Sequence, residues 1–386
     1  MSTTGLAPQT PAPPLPPRPP QRTRVPSWLR PDRGTTGQIG ITTLAVAVAL
    51  LLSTLLVAAT GGSPSAVAAA IVRGSLGDSA AWTQTLLATA PLLLVALGAC
   101  IASRAGVFNI GQEGQVLLGA MGGTFIALRL PGPPLLVIPV SLLAGAALGG
   151  LLAAVSALLY RIRQVNIVVS TLLLSFVAVQ VVSFAVSTPW LLQEPRGSAN
   201  ATAAAQSALI PADYRMPAFG QSPGLSIGLG LVLALVATVA VWALLSRSTL
   251  GFRLDMIGLN PVTARHAGVR VALIGTGALV ASGAFAGLAG AVIVESSAFR
   301  LQPAVSNNYG WDGLLVALIA RNRPLVAIPV ALAFGALRTG SNFLAATGVP
   351  IYLVNVVQSL LVLAFVIAPA ITAVLERRRI SREVQS

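Results

Sequence analysis

Residues 82–103 read WTQTLLATAPLLLVALGACIAS, an apolar run without a charged side chain. A helix of about 20 such residues crosses the ~30 Å hydrocarbon core of a bilayer. The whole chain shares this bias, because 55% of its residues are hydrophobic and 9% are charged, against roughly 25% charged residues in soluble domains. Spans in lipid must be helices or barrel strands, and these continuous runs lack the alternation of barrel strands. The sequence therefore predicts an all-α integral membrane protein, a polytopic helical bundle.

Ten apolar segments qualify as candidate spans, at residues 38–60, 82–103, 107–128, 135–160, 165–190, 225–245, 271–294, 305–320, 325–343 and 351–374. The segments at 107–128 and 305–320 are each interrupted by glycine and an acidic residue, as re-entrant segments are. We therefore expect about eight to ten membrane helices, some of them broken. This membrane domain covers residues 38–375. It lies between a disordered Pro- and Arg-rich tail at residues 1–37 and a short tail at residues 376–386.

The arginines predict the orientation of these spans. Under a ten-span count, one side of the membrane receives both tails, the turns near residues 162 and 322, and the loop at residues 247–270, all rich in arginine. Positive charge marks cytoplasmic loops. We therefore expect a multi-pass protein of the cell membrane with both termini in the cytoplasm. The formal charge of +14 is explained by these loops, and no nucleic-acid partner is expected.

Two polar groups interrupt the apolar spans and are candidates for a solute pathway, because polar residues inside a membrane are costly. The first consists of Asn109, Gln112, Glu113 and Gln115. Their amide and carboxylate groups are able to hydrogen-bond sugar hydroxyls or base edges. The alternative is that Glu113 pairs with an arginine and braces the bundle.

The second polar group consists of Tyr309, Trp311 and Asp312. Aromatic residues at the end of a span also occur as an interfacial belt, and this alternative stays open. Both groups place an acidic residue before a glycine, in residues 111–114 (GQEG) and 310–313 (GWDG). A transporter built from two repeated halves with broken helices has such a pattern, and chance similarity between glycine-rich helices explains it equally well.

A third candidate is the loop at residues 251–269, where Asn-Pro precedes a short amphipathic run that ends at a glycine. Proline suits the first position of a helix, so we expect a short cytoplasmic helix that docks a soluble partner. An ordinary surface loop is the alternative. We expect charge exchange between Asp255 and Arg265 to test this role. The candidate coupling residues are Arg253, Asp255, Gly258, Asn260, Pro261, Ala264, Arg265 and Gly268.

The sequence contains no lysine, so the phosphate-binding loop that ends in Gly-Lys-Ser/Thr is absent. The lone His266 and Cys100 predict neither a metal site nor a catalytic set of the Ser/His/Asp or Cys/His kind. We therefore expect no enzyme activity, no catalytic residue and no cofactor in this chain. ATP and Mg²⁺ would bind to a partner.

In this order, the motifs resemble the permease subunits of ATP-binding cassette (ABC) importers of the branched-chain amino acid and simple-sugar group. They are most similar to nucleoside permeases of the basic membrane protein type. The resemblance extends over about residues 82–374. The matching stretches are residues 106–115 (GVFNIGQEGQ), 258–269 (GLNPVTARHAGV), 282–290 (SGAFAGLAG) and 310–324 (GWDGLLVALIARNRP).

The resemblance implies a permease domain whose loop around Asn260 couples to a cytoplasmic ABC ATPase. It also implies a second homologous permease chain or a second copy of this one, and an extracytoplasmic solute-binding lipoprotein. Within the group, the motif at residues 109–114 favours nucleosides over amino acids. A permease for monosaccharides or branched-chain amino acids is the alternative. The chain departs from the family in carrying Leu259 and Val262-Thr263 where Glu is common. An ion-driven secondary transporter, with Glu113 and Asp312 binding the ion, is the rival from another class.

Overall fold

The computed structural model describes residues 64–195, 205–220 and 224–346, with single residues between 44 and 59 and between 356 and 363. The predicted spans at 38–60 and 351–374 fall mostly outside the described residues. The predicted tails at 1–37 and 376–386 lie entirely outside them. These parts of the domain organisation therefore stay predictions.

The described part of the chain is mainly helical, as the sequence predicts. A single short antiparallel sheet in the described part pairs Ala218 with Gly228 and Phe219 with Ile227. The helices are α1 (Pro64–Leu76), α2 (Ser79–Arg104), α3 (Gln112–Arg129), α4 (Pro134–Arg163), α5 (Ile167–Ser187), α6 (Leu229–Arg247), α7 (Thr249–Leu259), α8 (Pro261–His266), α9 (Val271–Ile293), α10 (Tyr309–Ile319) and α11 (Pro324–Ala346). The strands are β1 (Ala218–Phe219) and β2 (Ile227–Gly228), and a 3₁₀ turn covers Ala212–Tyr214.

Six of the described helices are long and apolar enough to cross a membrane: α2, α4, α5, α6, α11, and α9 together with the π turn Val294–Ala298 that extends it. The two interrupted segments form shorter helices, because α3 begins only at Gln112 and has 18 residues, and α10 begins at Tyr309 and has 11 residues. At 1.5 Å per residue, α10 is ~16 Å long and covers about half of a membrane. The chain is thus an all-α membrane protein with broken helices.

Side chains and prolines at the expected positions define several helix starts. Asp78 accepts a hydrogen bond from the backbone N–H of Ala81 at the start of α2, and Asn166 accepts one from Val168 at the start of α5. Such caps satisfy N–H groups that have no partner within the helix. Helices α4 and α11 begin with Pro134 and Pro324, whose lack of an N–H costs nothing at this position.

Helix α2 is the centre of the bundle. Its most apolar window is 89% buried, and Leu92, Leu93, Leu94 and Leu97 have no exposed surface. A helix that is apolar on all sides belongs inside a bundle. Helix α2 runs from Ser79 to Arg104. The end of the bundle where α2 begins is called the Ser79 end, and the opposite end is called the Arg104 end.

Helices α3, α4 and α9 contact one another through their backbones at glycine positions. A Cβ added to Gly119 would lie 2.1 Å from the carbonyl oxygen of Gly287, and one added to Gly287 would lie 2.1 Å from that of Gly145. Small residues permit this close approach, on which van der Waals packing between membrane helices depends. The three helices are therefore held in one fixed arrangement.

Helices α4 and α11 begin with related sequences that point to an internal repeat. Residues 134–140 read PLLVIPV and residues 324–330 read PLVAIPV, with a proline at the first and sixth position of both. Helix α11 runs antiparallel to α2, because Gly335 approaches Thr89 while Asn342 and Asp78 line one cavity.

Helix α4 has the opposite orientation to α11. It runs antiparallel to α9, since Gly149 meets Gly283 and Gly145 meets Gly287. Helix α9 in turn runs antiparallel to α2, so α4 is parallel to α2. The related segments therefore have opposite orientations, as in inverted repeats of transporters.

The glycine contacts predict a position-dependent effect of one methyl group. Gly287→Ala should lower the thermal unfolding temperature of the detergent-solubilised protein, because overpacking a tight contact costs about 1–3 kcal/mol. Gly275→Ala in the same helix is the matched control, since a Cβ there has no neighbour within 4 Å. That control should be neutral or slightly stabilising, because alanine favours helices. Equal unfolding temperatures for the two variants would contradict this account.

Candidate functional site

A cavity of about 540 Å³ lies at the Ser79 end, between α1, α2, the π turn, the segment before α10, and α11. Its lining combines apolar side chains with hydrogen-bonding groups, as solute sites do. The polar lining residues are Arg73, Asp78, Gln84, Ser297, Asn307, Tyr309, Arg338, Thr339 and Asn342. Of the predicted pathway residues, Tyr309 lies on this wall. Trp311 is half-buried on α10 and is not part of the lining.

Arg338 of α11 organises one side of this cavity. Its Nη1 lies 2.9 Å from Oδ2 of Asp312, its Nη2 donates to the backbone oxygen of Asn307, and its guanidinium carbon lies 3.8 Å from the centre of the Tyr309 ring. The Asp312 and Arg338 side chains are 13% and 7% exposed, so the two charges neutralise each other largely out of solvent. A charged residue within an apolar span is a signal for function, and the sequence interpretation missed it at position 338.

The carboxylate of Glu113 binds the beginning of α10. Its Oε1 accepts hydrogen bonds from Ser306 Oγ at 2.5 Å and the Asn308 N–H at 3.1 Å, and its Oε2 accepts one from the Gly310 N–H at 2.8 Å. The first N–H groups of a helix lack internal partners and carry partial positive charge. Within the described part of the chain, Glu113 thus braces the bundle through a helix terminus and not through an arginine.

The amides of the first polar group bind each other. Asn109 Nδ2 donates to Gln115 Oε1 at 2.8 Å and to Ser282 Oγ at 3.0 Å, and Gln112 Nε2 donates to the Val95 carbonyl at 3.0 Å. Asn109, Gln112 and Gln115 are all at most 2% exposed. In this conformation the predicted group therefore joins α2, α3 and α9, and its amides do not line the cavity.

The predicted coupling segment forms two short helices at the Arg104 end. Asn260 ends α7 and starts α8, where its Oδ1 accepts hydrogen bonds from the N–H groups of Val262 and Thr263 at 3.0 and 3.1 Å. Pro261 occupies the first position of α8. Ala264 is fully buried, whereas Leu259 and Val262 are 88% and 62% exposed. This end therefore presents two apolar side chains on a rigidly capped corner.

One ion pair joins the coupling segment to the central helix. Nη1 of Arg104, the last residue of α2, lies 2.7 Å from Oδ1 of Asp255 in α7. Next to it, a Cβ added to Gly258 would lie 2.3 Å from the Arg104 carbonyl oxygen. Asp255 thus pairs with Arg104 and not with Arg265, the residue that the sequence interpretation selected for charge exchange. Arg253 and Gly268 lie on the same segment, in α7 and directly after α8.

A bundle of apolar helices, with a cavity at one end and an exposed, capped corner at the other, is the arrangement expected of a membrane transport component. Residues 81–366 match the family described as the branched-chain amino acid transport system permease component. The chain belongs to this family. Members are permease subunits of ABC transporters and are not enzymes, and ATP hydrolysis belongs to a separate subunit. No solved structure matches the chain significantly.

Individual relatives differ in the solute that they are named for. The chain is 30% identical to the glucose ABC transporter permease TsgB13 of Haloferax volcanii, over 89% of this chain and 88% of that protein. It is 28% identical to the guanosine permease NupP of Bacillus subtilis, over 83% and 90% of the two chains. It is also 28% identical to the nucleoside permease NupB of Lactococcus lactis, over 85% and 90%. Both bacteria have a second, more distant relative of this chain, NupQ and NupC.

The buried pair at the cavity predicts a large effect of removing one charge. Arg338→Met should leave Asp312 without a partner and destabilise the protein by about 3–5 kcal/mol. The double variant Asp312→Asn with Arg338→Met should recover most of that loss in thermal unfolding. Arg104→Met is the matched control, because its pair is 33% and 38% exposed and exposed pairs contribute about 0–1 kcal/mol. An Arg338→Met variant as stable as the control would contradict a buried ion pair.

Proposed function

We propose that the chain carries nucleosides into the cell as one permease subunit of an ABC importer, with the Arg104 end and both termini in the cytoplasm. The cavity at the Ser79 end would then receive solute from outside. The observation that carries this proposal is the position of the cavity and the docking corner at opposite ends of α2. A permease needs this separation, because solute arrives on one side and ATP is hydrolysed on the other.

The chemistry of the cavity supports an uncharged solute rich in hydrogen-bonding groups. Gln84, Asn307 and Asn342 contribute amides and Tyr309 a phenol, and these groups donate to or accept from hydroxyls and base edges. The positive charge of Arg338 is already compensated by Asp312. Arg73 and Asp78 also lie on the lining, so the preference for a nucleoside or a sugar rests on the number of uncharged hydrogen-bonding groups.

Nucleosides are the first candidate because two of the relatives above, NupP and NupB, are named for guanosine and for nucleosides. Glucose is the second candidate, since TsgB13 is named for glucose and both solutes carry a hydroxylated ring. The solute-binding lipoprotein would deliver either one to the Ser79 end. A second permease chain would complete the core, as the pairs NupP with NupQ and NupB with NupC support.

The coupling step follows from the contact between α7 and α2. When the ATPase moves the corner formed by Leu259, Asn260 and Val262, the pair Arg104–Asp255 would pass this movement to α2, whose other end borders the cavity. The solute can shift such an equilibrium only through different affinities for the two states. Ion coupling is less favoured, because Glu113 and Asp312 already bind a helix terminus and an arginine.

Uptake by the complete transporter tests the choice of solute. The test uses proteoliposomes that contain both permease chains, the ATPase and the binding lipoprotein. When the ATPase faces the vesicle interior and ATP is enclosed there, the vesicles should accumulate labelled nucleosides. Unlabelled nucleosides should compete, whereas glucose and leucine should not. Competition by glucose alone would contradict the nucleoside assignment and favour the second candidate.

Charge exchange tests the proposed coupling contact. Arg104→Asp and Asp255→Arg should each lower the solute transported per ATP hydrolysed, because each places like charges together. The double exchange should restore much of the ratio. The matched control combines Asp255→Arg with Arg265→Asp and should not restore it. If each single variant keeps the ratio of the unaltered protein, the pair does not transmit the movement.

A further inference from the structure

The π turn at the end of α9 carries a buried acidic side chain. Glu295 has no exposed surface. π turns interrupt helices rarely and often do so at functional positions. On the same turn, Ser297 and Ala298 belong to the wall of the cavity. The turn thus connects a buried carboxyl group to the space proposed for the solute.

Two oxygens lie within reach of the single hydrogen of the Ser141 hydroxyl, the Ile138 carbonyl and Oε1 of Glu295. Ser141 Oγ in α4 lies 2.8 Å from the carbonyl oxygen of Ile138 and also contacts Oε1 of Glu295. A serine hydroxyl has one hydrogen, and a carbonyl oxygen only accepts. If the hydroxyl donates to Ile138, the second contact requires a hydrogen on Glu295. The carboxyl group then donates to Ser141 Oγ as a neutral acid.

The surroundings of Glu295 provide no compensating charge. In the described residues its Oε2 has no hydrogen-bond partner. Residues 134–160 of α4, 271–293 of α9 and 82–103 of α2 contain no titratable acid or base apart from the Tyr160 phenol and the buried thiol of Cys100. Helix α3 carries only Glu113, which binds the start of α10, and Arg129, which donates to the Trp190 and Leu191 carbonyls.

The segments that follow and face the turn bring Asp213, Tyr214, Arg215 and Arg300, and the Tyr214 hydroxyl donates to the Gly132 carbonyl at 3.1 Å. Asp213 is exposed. The Arg215 guanidinium lies 4.4 Å from the centre of the Phe299 ring, and its Nε donates to the Ile210 carbonyl at 3.1 Å. Among the described residues, no arginine forms an ion pair with Glu295. Burying an isolated carboxylate in such a place costs far more free energy than burying a neutral acid.

We propose that Glu295 is a proton-binding site, a neutral carboxylic acid that fastens α9 to α4 through Ser141 and so positions the cavity wall formed by Ser297 and Ala298. The backbone of the same residue joins the turn to the segment before β1, because the Glu295 carbonyl accepts a hydrogen bond from the Met216 N–H at 2.9 Å. The bound proton stabilises the turn without any counter-charge. The effect on uptake rests on the proposed function, whereas the protonation does not.

Infrared spectroscopy of the purified protein in nanodiscs tests the protonation directly. At neutral pH the unaltered protein should show a carbonyl stretching band of a protonated carboxylic acid, and Glu295→Gln should abolish that band. Ser141→Ala should shift it, because the acid loses its acceptor. Asp213→Asn is the control and should leave the band unchanged, since that side chain is exposed to solvent. A spectrum in which Glu295→Gln removes no such band would overturn the proposal.

Uptake by the complete transporter, with whichever solute it accumulates, tests the positioning role. Glu295→Gln keeps the shape and a hydrogen-bond donor without a titratable proton, so it should retain uptake. Glu295→Leu keeps the volume but loses the donor, and its uptake should fall. Equal uptake by the two variants would refute the positioning role, whatever the solute. Failure of nucleoside uptake alone would refute the proposed solute and leave the infrared result standing.

Discussion

The fold depends on how two broken helices begin inside the membrane domain. A helix that starts within a bundle leaves N–H groups without partners, and lipid cannot provide any. The Glu113 carboxylate supplies two of the missing acceptors for α10. Gly310 allows the contact, because a Cβ there would lie 2.3 Å from the Glu113 nitrogen. The starts of α3 and α10 are thereby held together, and the loop that carries Asn307 is fixed beside the cavity.

From this junction, polar contacts extend to both ends of the bundle. Toward the Ser79 end, Arg338 binds Asp312 of α10 and covers Tyr309 on the cavity wall. Toward the Arg104 end, the amides of Asn109 and Gln112 hold α3 to α2 and α9. Helix α2 then continues to the corner at Leu259 and Asn260. Under the proposed function, a movement at this corner would reach the cavity through packed and hydrogen-bonded elements.

Much of the fold was predictable from the sequence. Composition and uninterrupted apolar runs are strong signals, so the all-α class and the long spans followed directly. Glycine and acidic residues at 111–114 and 310–313 marked the two broken helices, and Asn260-Pro261 marked the start of α8. The internal repeat is clearer in the paired prolines at the starts of α4 and α11 than in the motifs at 111–114 and 310–313.

The partners of the polar residues were less predictable. Arg338 and Glu295 lie within apolar spans, far in sequence from Asp312 and Ser141, and periodicity does not reveal which residues meet. For the same reason Asp255 was considered with the nearby Arg265, although its partner Arg104 is 151 residues away. Similarly, spacing alone did not distinguish buried amides that bind each other from amides that line a cavity.

The central claim is that this permease draws its energy from a separate ATPase subunit. Reconstitution with and without that subunit, with nucleotide hydrolysis and solute accumulation measured in the same vesicles, tests it most directly. The account predicts that the permease chains alone neither hydrolyse ATP nor concentrate solute, and that adding the ATPase and binding lipoprotein produces both activities. Accumulation by the permease chains alone, driven by a proton or sodium gradient, would contradict it.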